Sequence, residues 1–294
     1  MPTFHDRVPA TLDFLTRFLL PRMADGTFWF LFCFYDGWRE RVPFSADYAW
    51  TVAGDLSQAQ EWQGPPGSIP ILSLRHQWVG CYGAHRGDPS ACLLPEAHYL
   101  TQNHYTPLFQ RVTDNTLSWA ERKSLAIYCG GDHGETQNYF PPFVPDRPHP
   151  RRYLKTLAEQ FALPLNVRLG ESVPLSEQLK YKYILDIDGF ARTWDGWAWK
   201  MYSGSTVLSV DSPWESFFTR FFEPWTHYVP VANDLTDLGD KLTWCMSHDD
   251  LCYRIGQQAQ ARAKDVYKPE FVARHAAREL RRRLTEIDTS LQPP

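Results

Sequence analysis

Long apolar runs are missing from this 294-residue chain: no stretch of about 18 consecutive apolar residues occurs, which argues against a membrane-spanning helix. The first twenty residues, MPTFHDRVPATLDFLTRFLL, are interrupted by Asp6, Arg7, Asp13 and Arg17. They lack the apolar core of a signal peptide, so the chain reads as soluble and cytoplasmic. Net charge is also slight, -4 at pH 7, which gives no bulk attraction to nucleic acid. Six cysteines stand at 33, 81, 92, 129, 245 and 252 without a Cys-x-x-Cys pair; zinc-ribbon and thioredoxin motifs are thereby unsupported. Cys245 and Cys252 fall seven apart in a helical segment, and on one helix that is roughly 10 Å, too far for a disulfide. The cysteines read as free, core-filling thiols of a reducing compartment. There are no repeats and no low-complexity tract.

What is present is apolar and aromatic: 43% hydrophobic, with 12 Trp, 14 Tyr and 18 Phe. Such rings fill cores and also stack on sugars and bases. The length suits two domains of roughly 150 residues. In the first half, TFWFLFCFY (27–35), SIPILSLR (68–75) and SLAIYCGG (124–131) read as buried strands, the last running into glycine. The stretch 132–150 reads as loop. The second half alternates more regularly. Helices are expected at 151–161, 197–203, 214–222, 234–247, 249–265 and 269–287, and strands at 165–170, 181–189, 205–210 and 226–231. Alternation of this kind predicts parallel sheets covered by helices. Ligands of such folds bind at the carboxyl ends of strands. Asp36, Gly130 to Asp132, Asp188-Gly189 and Asp211-Ser212 all fall at such ends.

The stretch YKYILDIDGF (181–190) holds Asp186 and Asp188 two apart in a strand. Residues two apart face one side, so both carboxylates suit one hard cation. Asp188 before Gly189 suits a strand-end turn or helix cap equally. Asp186, inside the strand, needs a partner such as Lys182 or a backbone donor.

The segment from 178 to 267 goes further. It contains Ser203-Gly204-Ser205, Pro224-Trp225-x-His227-Tyr228-Val229-Pro230 and Asp234-Leu235. It resembles glycosyltransferase family 90, which includes capsule-associated proteins, lipopolysaccharide-modifying transferases and protein O-glucosyltransferases and O-xylosyltransferases. Upstream of 120 the resemblance is faint. It implies a GT-B-like α/β fold: two Rossmann-like domains with parallel sheets facing a cleft, and a C-terminal helix crossing back. The expected boundaries are 1–120 for the acceptor side, 121–267 for the nucleotide-sugar domain, and 268–294 for the terminal helix and tail. It also implies an inverting, metal-independent transfer of a glucose- or xylose-type sugar from a UDP-sugar to a hydroxyl of a glycan. No cofactor is expected. A lipopolysaccharide or capsule acceptor is favoured because the helix around Lys200 is similar to the bacterial branch.

On this resemblance the donor is held by Gly130, Gly131, Asp188, Gly189, Arg192, Lys200, Ser203, Gly204, Ser205 and Glu215. Cations, backbone amides and helix N-termini would meet about two negative charges on the departing diphosphate. Three of these have a plainer reading: Lys200 as a solvated helix lysine, Gly204 as a helix cap, Glu215 as a first-turn glutamate. Of Trp194, Trp197 and Trp199, at least two are expected in the core, and His227 reads as a packed strand residue. Asp36, at the end of an apolar strand, is the expected catalytic base, ahead of His76, His85, Asp88 and Asp132. Arg151 and Arg152 open a helix where cations oppose the dipole, which suits a phosphate or acidic acceptor. The chain departs from the family at Cys129, where an arginine is usual, and at Gly196, near an arginine of the eukaryotic members. These departures keep a silent UDP- or carbohydrate-binding relative as an alternative, beside a metal-dependent Asp-x-Asp transferase. Asp132, His133 and Glu135 form too local a group to carry a metal reading. The terminal RELRRRL stretch suits either a solvated helix face or peripheral contact with an anionic membrane.

Overall fold

A computed structural model of the chain describes residues 4–19, 31–33, 79–88, 91–132, 150–189 and 191–290. In chain order the strands are β1 (Leu31–Cys33), β2 (Val79–Cys81), β3 (Gly83–His85), β4 (Ala91–Leu93), β5 (Lys123–Gly130), β6 (Leu165–Leu169), β7 (Tyr181–Asp186), β8 (Thr206–Val210), β9 (Trp214–Ser216) and β10 (Val229–Val231). The helices are α1 (Phe4–Phe14), α2 (Ala97–Thr101), α3 (Thr106–Asn115), α4 (Pro150–Gln160), α5 (Leu175–Gln178), α6 (Gly196–Tyr202), α7 (Leu238–Ser247), α8 (Asp249–Val266) and α9 (Pro269–Ser290).

The chain forms two compact units. One holds Met1–His104, Trp214–Phe217 and Lys268–Pro294; the other holds Tyr105–Pro213 and Phe218–Tyr267. Helix α3, which precedes residue 120, packs on α6 of the second unit. Three consecutive left-handed residues, Asn103, His104 and Tyr105, mark the passage between units.

In the first unit β1, β2 and β4 make a parallel sheet. A separate antiparallel ribbon pairs β3 with β9. The C-terminal helix α9 returns to this unit, and its Arg283 donates to the Ala91 carbonyl on β4.

The second unit is a five-stranded sheet in the order β10-β8-β7-β5-β6, parallel throughout. β7 and β8 are buried at every position, as strands covered on both faces must be. One face packs Tyr128, Tyr183, Leu185 and Leu208 against Leu154 and Leu157 of α4 and Leu238 and Leu242 of α7. Each such leucine contributes roughly 1.5–3 kcal/mol.

Three expectations need correction. Residues 214–222 are not a helix: Trp214 and Ser216 are buried, Glu215 is not, and this two-residue period pairs with β3. A short 3-10 turn, Thr219–Phe221, follows. The strand expected over 226–231 is shortened to β10, because residues 225–227 turn, with Trp225 at φ 64°. Cys245 and Cys252 do not share a helix. The break at His248 brings the Cys252 thiol to 3.5 Å from the Cys245 carbonyl, and both cysteines are buried free thiols.

Candidate functional site

In the second unit the strand order turns back between β5 and β7. From β5 the chain passes outward to β6; from β7 it passes the other way to β8 and β10. Such a switch point opens a crevice at the carboxyl ends of the two strands, where open α/β sheets take their ligands. Gly130 and Gly131 leave β5 there, and Ile187, Asp188 and Gly189 leave β7.

Arg151, in the first turn of α4, ties these ends together. Its Nε and Nη2 donate to the Ile187 carbonyl at 3.3 and 2.9 Å, and Nη1 donates to the Gly131 carbonyl at 3.5 Å. A Cβ on Gly189 would lie 3.3 Å from this guanidinium, so glycine there lets the arginine pass. Arg152 donates to the Asp132 carbonyl at 2.8 Å and is exposed.

Strand alternation turns Asp186 to the other face of the sheet from Leu185, toward α6. Lys200 lies near the end of that helix, but its side chain runs back along it. Its Nζ comes within 3.8 Å of a Cβ built on Gly196 and reaches Asp186 Oδ1 at 2.6 Å. Arg192 places Nη2 on Asp186 Oδ2 at 2.6 Å and Nε 2.8 Å from Asp188 Oδ1. Ser212 donates to Asp188 Oδ2, and Ser209 Oγ accepts from Arg192 at 2.6 Å. Three of the four carboxylate oxygens therefore already accept a hydrogen bond, and Asp188 Oδ1 lies in an ion pair with Arg192. Lys182 is not the partner of Asp186; it pairs with Asp249 at 2.8 Å.

The two aspartates are held differently. Burial alone would raise Asp186, but Lys200 and Arg192 outweigh it and hold the carboxyl well below the usual range. Burial raises Asp188; Arg192 opposes this and the neighbouring Asp186 charge adds to it. Beside them, burial pushes the Cys129 thiol up to about 11. It stays neutral near pH 7.

Buried polar atoms without a hydrogen-bond partner among the described residues include the Tyr128 hydroxyl, Thr193 Oγ1 and Trp197 Nε1. All three flank this region. Tyr128 is two residues before Gly130, Thr193 follows Arg192, and Trp197 lies under the Arg192 guanidinium at 4.8 Å. Trp197 and Trp199 are buried, whereas Trp194 is exposed.

Other sequence candidates lie elsewhere. Ser203, Gly204 and Ser205 precede β8 at the amino edge of the sheet, not at its carboxyl edge. Arg122 holds them, donating to Ser205 Oγ at 2.6 Å and to the Ser203 carbonyl at 3.0 Å. Ser205 Oγ donates to the Tyr181 carbonyl at the start of β7, 2.9 Å away. Glu215 is on β9 opposite Ala84, in the first unit; it does not start a helix. His85 packs edge-on against Trp214 in that unit, and Asp88 sits in the turn after β3. His227 lies in a turn, its Nδ1 accepting from the Glu223 amide at 2.9 Å. Asp36, His76, His133 and Glu135 lie outside the described residues.

Sequence reasoning missed the Arg122 anchor, the Ser209 and Ser212 contacts and the Tyr128 hydroxyl. An isolated arginine before a strand, and serines at strand ends, were the available signals. Neither names its partner, because the partners are 17 to 83 residues away.

The chain matches the family model for Glycosyl transferase family 90 over residues 104–278. Protein O-glucosyltransferase 3 of Homo sapiens is 36% identical over 216 residues, covering 70% of this chain and 40% of the relative. Uncharacterized protein 179R of Invertebrate iridescent virus 6 is 35% identical over 116 residues, covering 36% of this chain and 10% of the relative. The chain thus spans well under half the length of either. A solved glycosyltransferase structure from Rickettsia africae ESF-5 covers 76% of this chain and 68% of its own, at 9% identity and TM-score 0.40. That likeness is too slight to carry an argument about ligand or fold. The family match extends over more than half of the sequence and includes every strand of the five-stranded sheet, and the chain belongs to glycosyltransferase family 90.

Proposed function

We propose that the second unit binds a UDP-sugar at the β5/β7 switch point, and that the chain transfers the sugar with inversion to a hydroxyl of a glycan. The observation that carries this reading is the junction itself. Two glycine-bearing strand ends meet the first turn of the eleven-residue helix α4, and Arg151 lies between them. Backbone amides, a helix N-terminus and a guanidinium are the groups that receive a diphosphate. Gly130, Gly131, Asp188, Gly189 and Arg151 are its nearest elements, with Arg152 at the rim.

Arg192 and Lys200 contribute as part of a preorganised network. Their pairing with Asp186 and Asp188 fixes the strand end, and their charges help stabilise the leaving diphosphate. This pairing also favours a metal-independent reaction, since a cation at the two aspartates would have to displace four established contacts. Asp36 is the proposed base for the acceptor hydroxyl. A glucose- or xylose-type donor and a lipopolysaccharide or capsule acceptor complete the proposal, with action in the cytoplasm or at the inner membrane face. No described helix is long and apolar enough to cross a membrane.

A second reading, a silent UDP-binding relative, is favoured by one observation. Cys129 is neutral where the family carries an arginine. The test is release of UDP from a panel of UDP-sugars, with and without EDTA, for the wild type and Asp36→Asn. Release that survives EDTA and falls in the variant supports the transferase. Loss of release on chelation restores the cation at Asp186 and Asp188. UDP binding without release from any donor supports the silent relative.

A further inference from the structure

Tyr128 is buried to 1% exposure in the core beneath α4. Other buried tyrosines satisfy their hydroxyls within the protein. Tyr183, on the neighbouring strand, donates to the Cys245 carbonyl at 3.0 Å. Tyr82 meets the Thr11 hydroxyl at 2.6 Å, and Tyr181 accepts from Asn166 at 2.8 Å. The Tyr128 hydroxyl has no such partner among the described residues. A buried hydroxyl left unpaired is costly, and it calls for a function or a partner from outside the protein.

Its position is specific. Residues 128 and 130 share a face of β5, and the ring extends along the strand to the Gly130 backbone. A Cβ on Gly130 would sit 2.5 Å from the hydroxyl oxygen and 3.0 Å from the ring carbon bearing it. Any side chain at 130 would therefore expel the hydroxyl from the strand end. Burial keeps Tyr128 protonated; the nearby Arg151 charge acts the other way, and Asp186, Cys129 and Asp188 add smaller effects in the direction of burial. The set at the end of β5 is thus a buried neutral O–H and the nearby Arg151 guanidinium. That set favours an anionic oxygen acceptor over a cation or an apolar group.

We propose that the Tyr128 hydroxyl donates a hydrogen bond to a phosphoryl oxygen of the diphosphate bound at the β5/β7 switch point, and that Gly130 is glycine to admit it. This rests on the donor-site reading above. Tyr128 is then a binding residue for the diphosphate.

The test compares wild type with Tyr128→Phe by calorimetric titration with UDP and with uridine, alongside thermal unfolding. The phenylalanine keeps the ring and loses only the hydroxyl. A hydrogen bond to a charged oxygen predicts about tenfold weaker UDP binding. Uridine binding is expected to stay unchanged, and the ligand-free melting temperature to hold or rise, because an unsatisfied polar group has been removed. Equal UDP affinity in the two proteins overturns the proposal and leaves the donor site standing. A parallel loss for UDP and uridine, or a lowered melting temperature, also overturns it, since each marks a structural role. Absence of UDP binding by the wild type overturns the donor-site reading and this inference with it.

Discussion

Asp186 and Asp188 are two residues apart and chemically unlike. Asp186 stands between two cations that hold it ionised, and it is buried. Removing its charge leaves Lys200 and part of Arg192 in a dry site. Asp186→Asn is expected to cost about 3–5 kcal/mol in urea unfolding at pH 7. Asp188→Asn is expected to cost clearly less, because its folded environment raises rather than lowers the carboxyl pKa. The pH dependence follows from the same directions. A depressed group such as Asp186 contributes stability above the unfolded value of about 3.9, lost as pH falls through the lower folded value. A raised group such as Asp188 contributes below about 3.9 and loses that contribution as pH rises through its folded value. Unfolding measured from pH 7 down to about 2 therefore shows the Asp186→Asn disadvantage holding above about 3.9 and shrinking below it. A disadvantage constant across that range would contradict the assignment. The aspartates were conspicuous in the sequence, but their partners were not. Arg192 and Lys200 read as phosphate ligands, while their contacts with Asp186 depend on how α6 lies along the sheet.

At the level of elements, β5, β7 and β8 were legible as short, largely apolar runs, and β6 as the alternating stretch Leu165-Asn166-Val167-Arg168-Leu169 ending at Gly170. β9 was not. Trp214-Glu215-Ser216 followed by aromatic residues looks like a helix start, and only its pairing with Gly83–His85 makes it a strand. The Ser203–Ser205 turn was noticed for its resemblance to the family, yet its contacts are structural ones with Arg122 and α8. Gly256 on α8 lies so close that a Cβ would be 2.5 Å from the Gly204 carbonyl oxygen. Gly256→Ala forces backbone apart rather than a flexible side chain, and is expected to lower stability by about 1–3 kcal/mol. An unchanged unfolding midpoint would show that α8 does not bear on this turn so closely.

For the whole molecule, the donor-site claim belongs to the second unit, which carries its own sheet, core and switch point. Ligand binding to the folded form raises stability by RT ln(1 + [L]/Kd), about 2.7 kcal/mol at a hundredfold excess over Kd. UDP is therefore expected to shift the thermal transition of the chain upward in the presence of EDTA, whereas uridine, lacking the diphosphate, is expected to shift it less. Equal shifts would place the recognition on the base and sugar alone. The family was legible from the motifs between 178 and 267; the proposed base, Asp36, rests on a single residue after an apolar run rather than on a motif.

The most direct measurement is calorimetric titration of UDP, in EDTA, into the wild type and Arg151→Gln. A metal-free diphosphate site gives saturable one-to-one binding by the wild type without added metal, and binding about tenfold or more weaker in the variant, whose folding is checked by its melting temperature. Binding that requires a divalent cation, or that is indifferent to Arg151, would contradict a metal-free diphosphate site at the β5/β7 switch point.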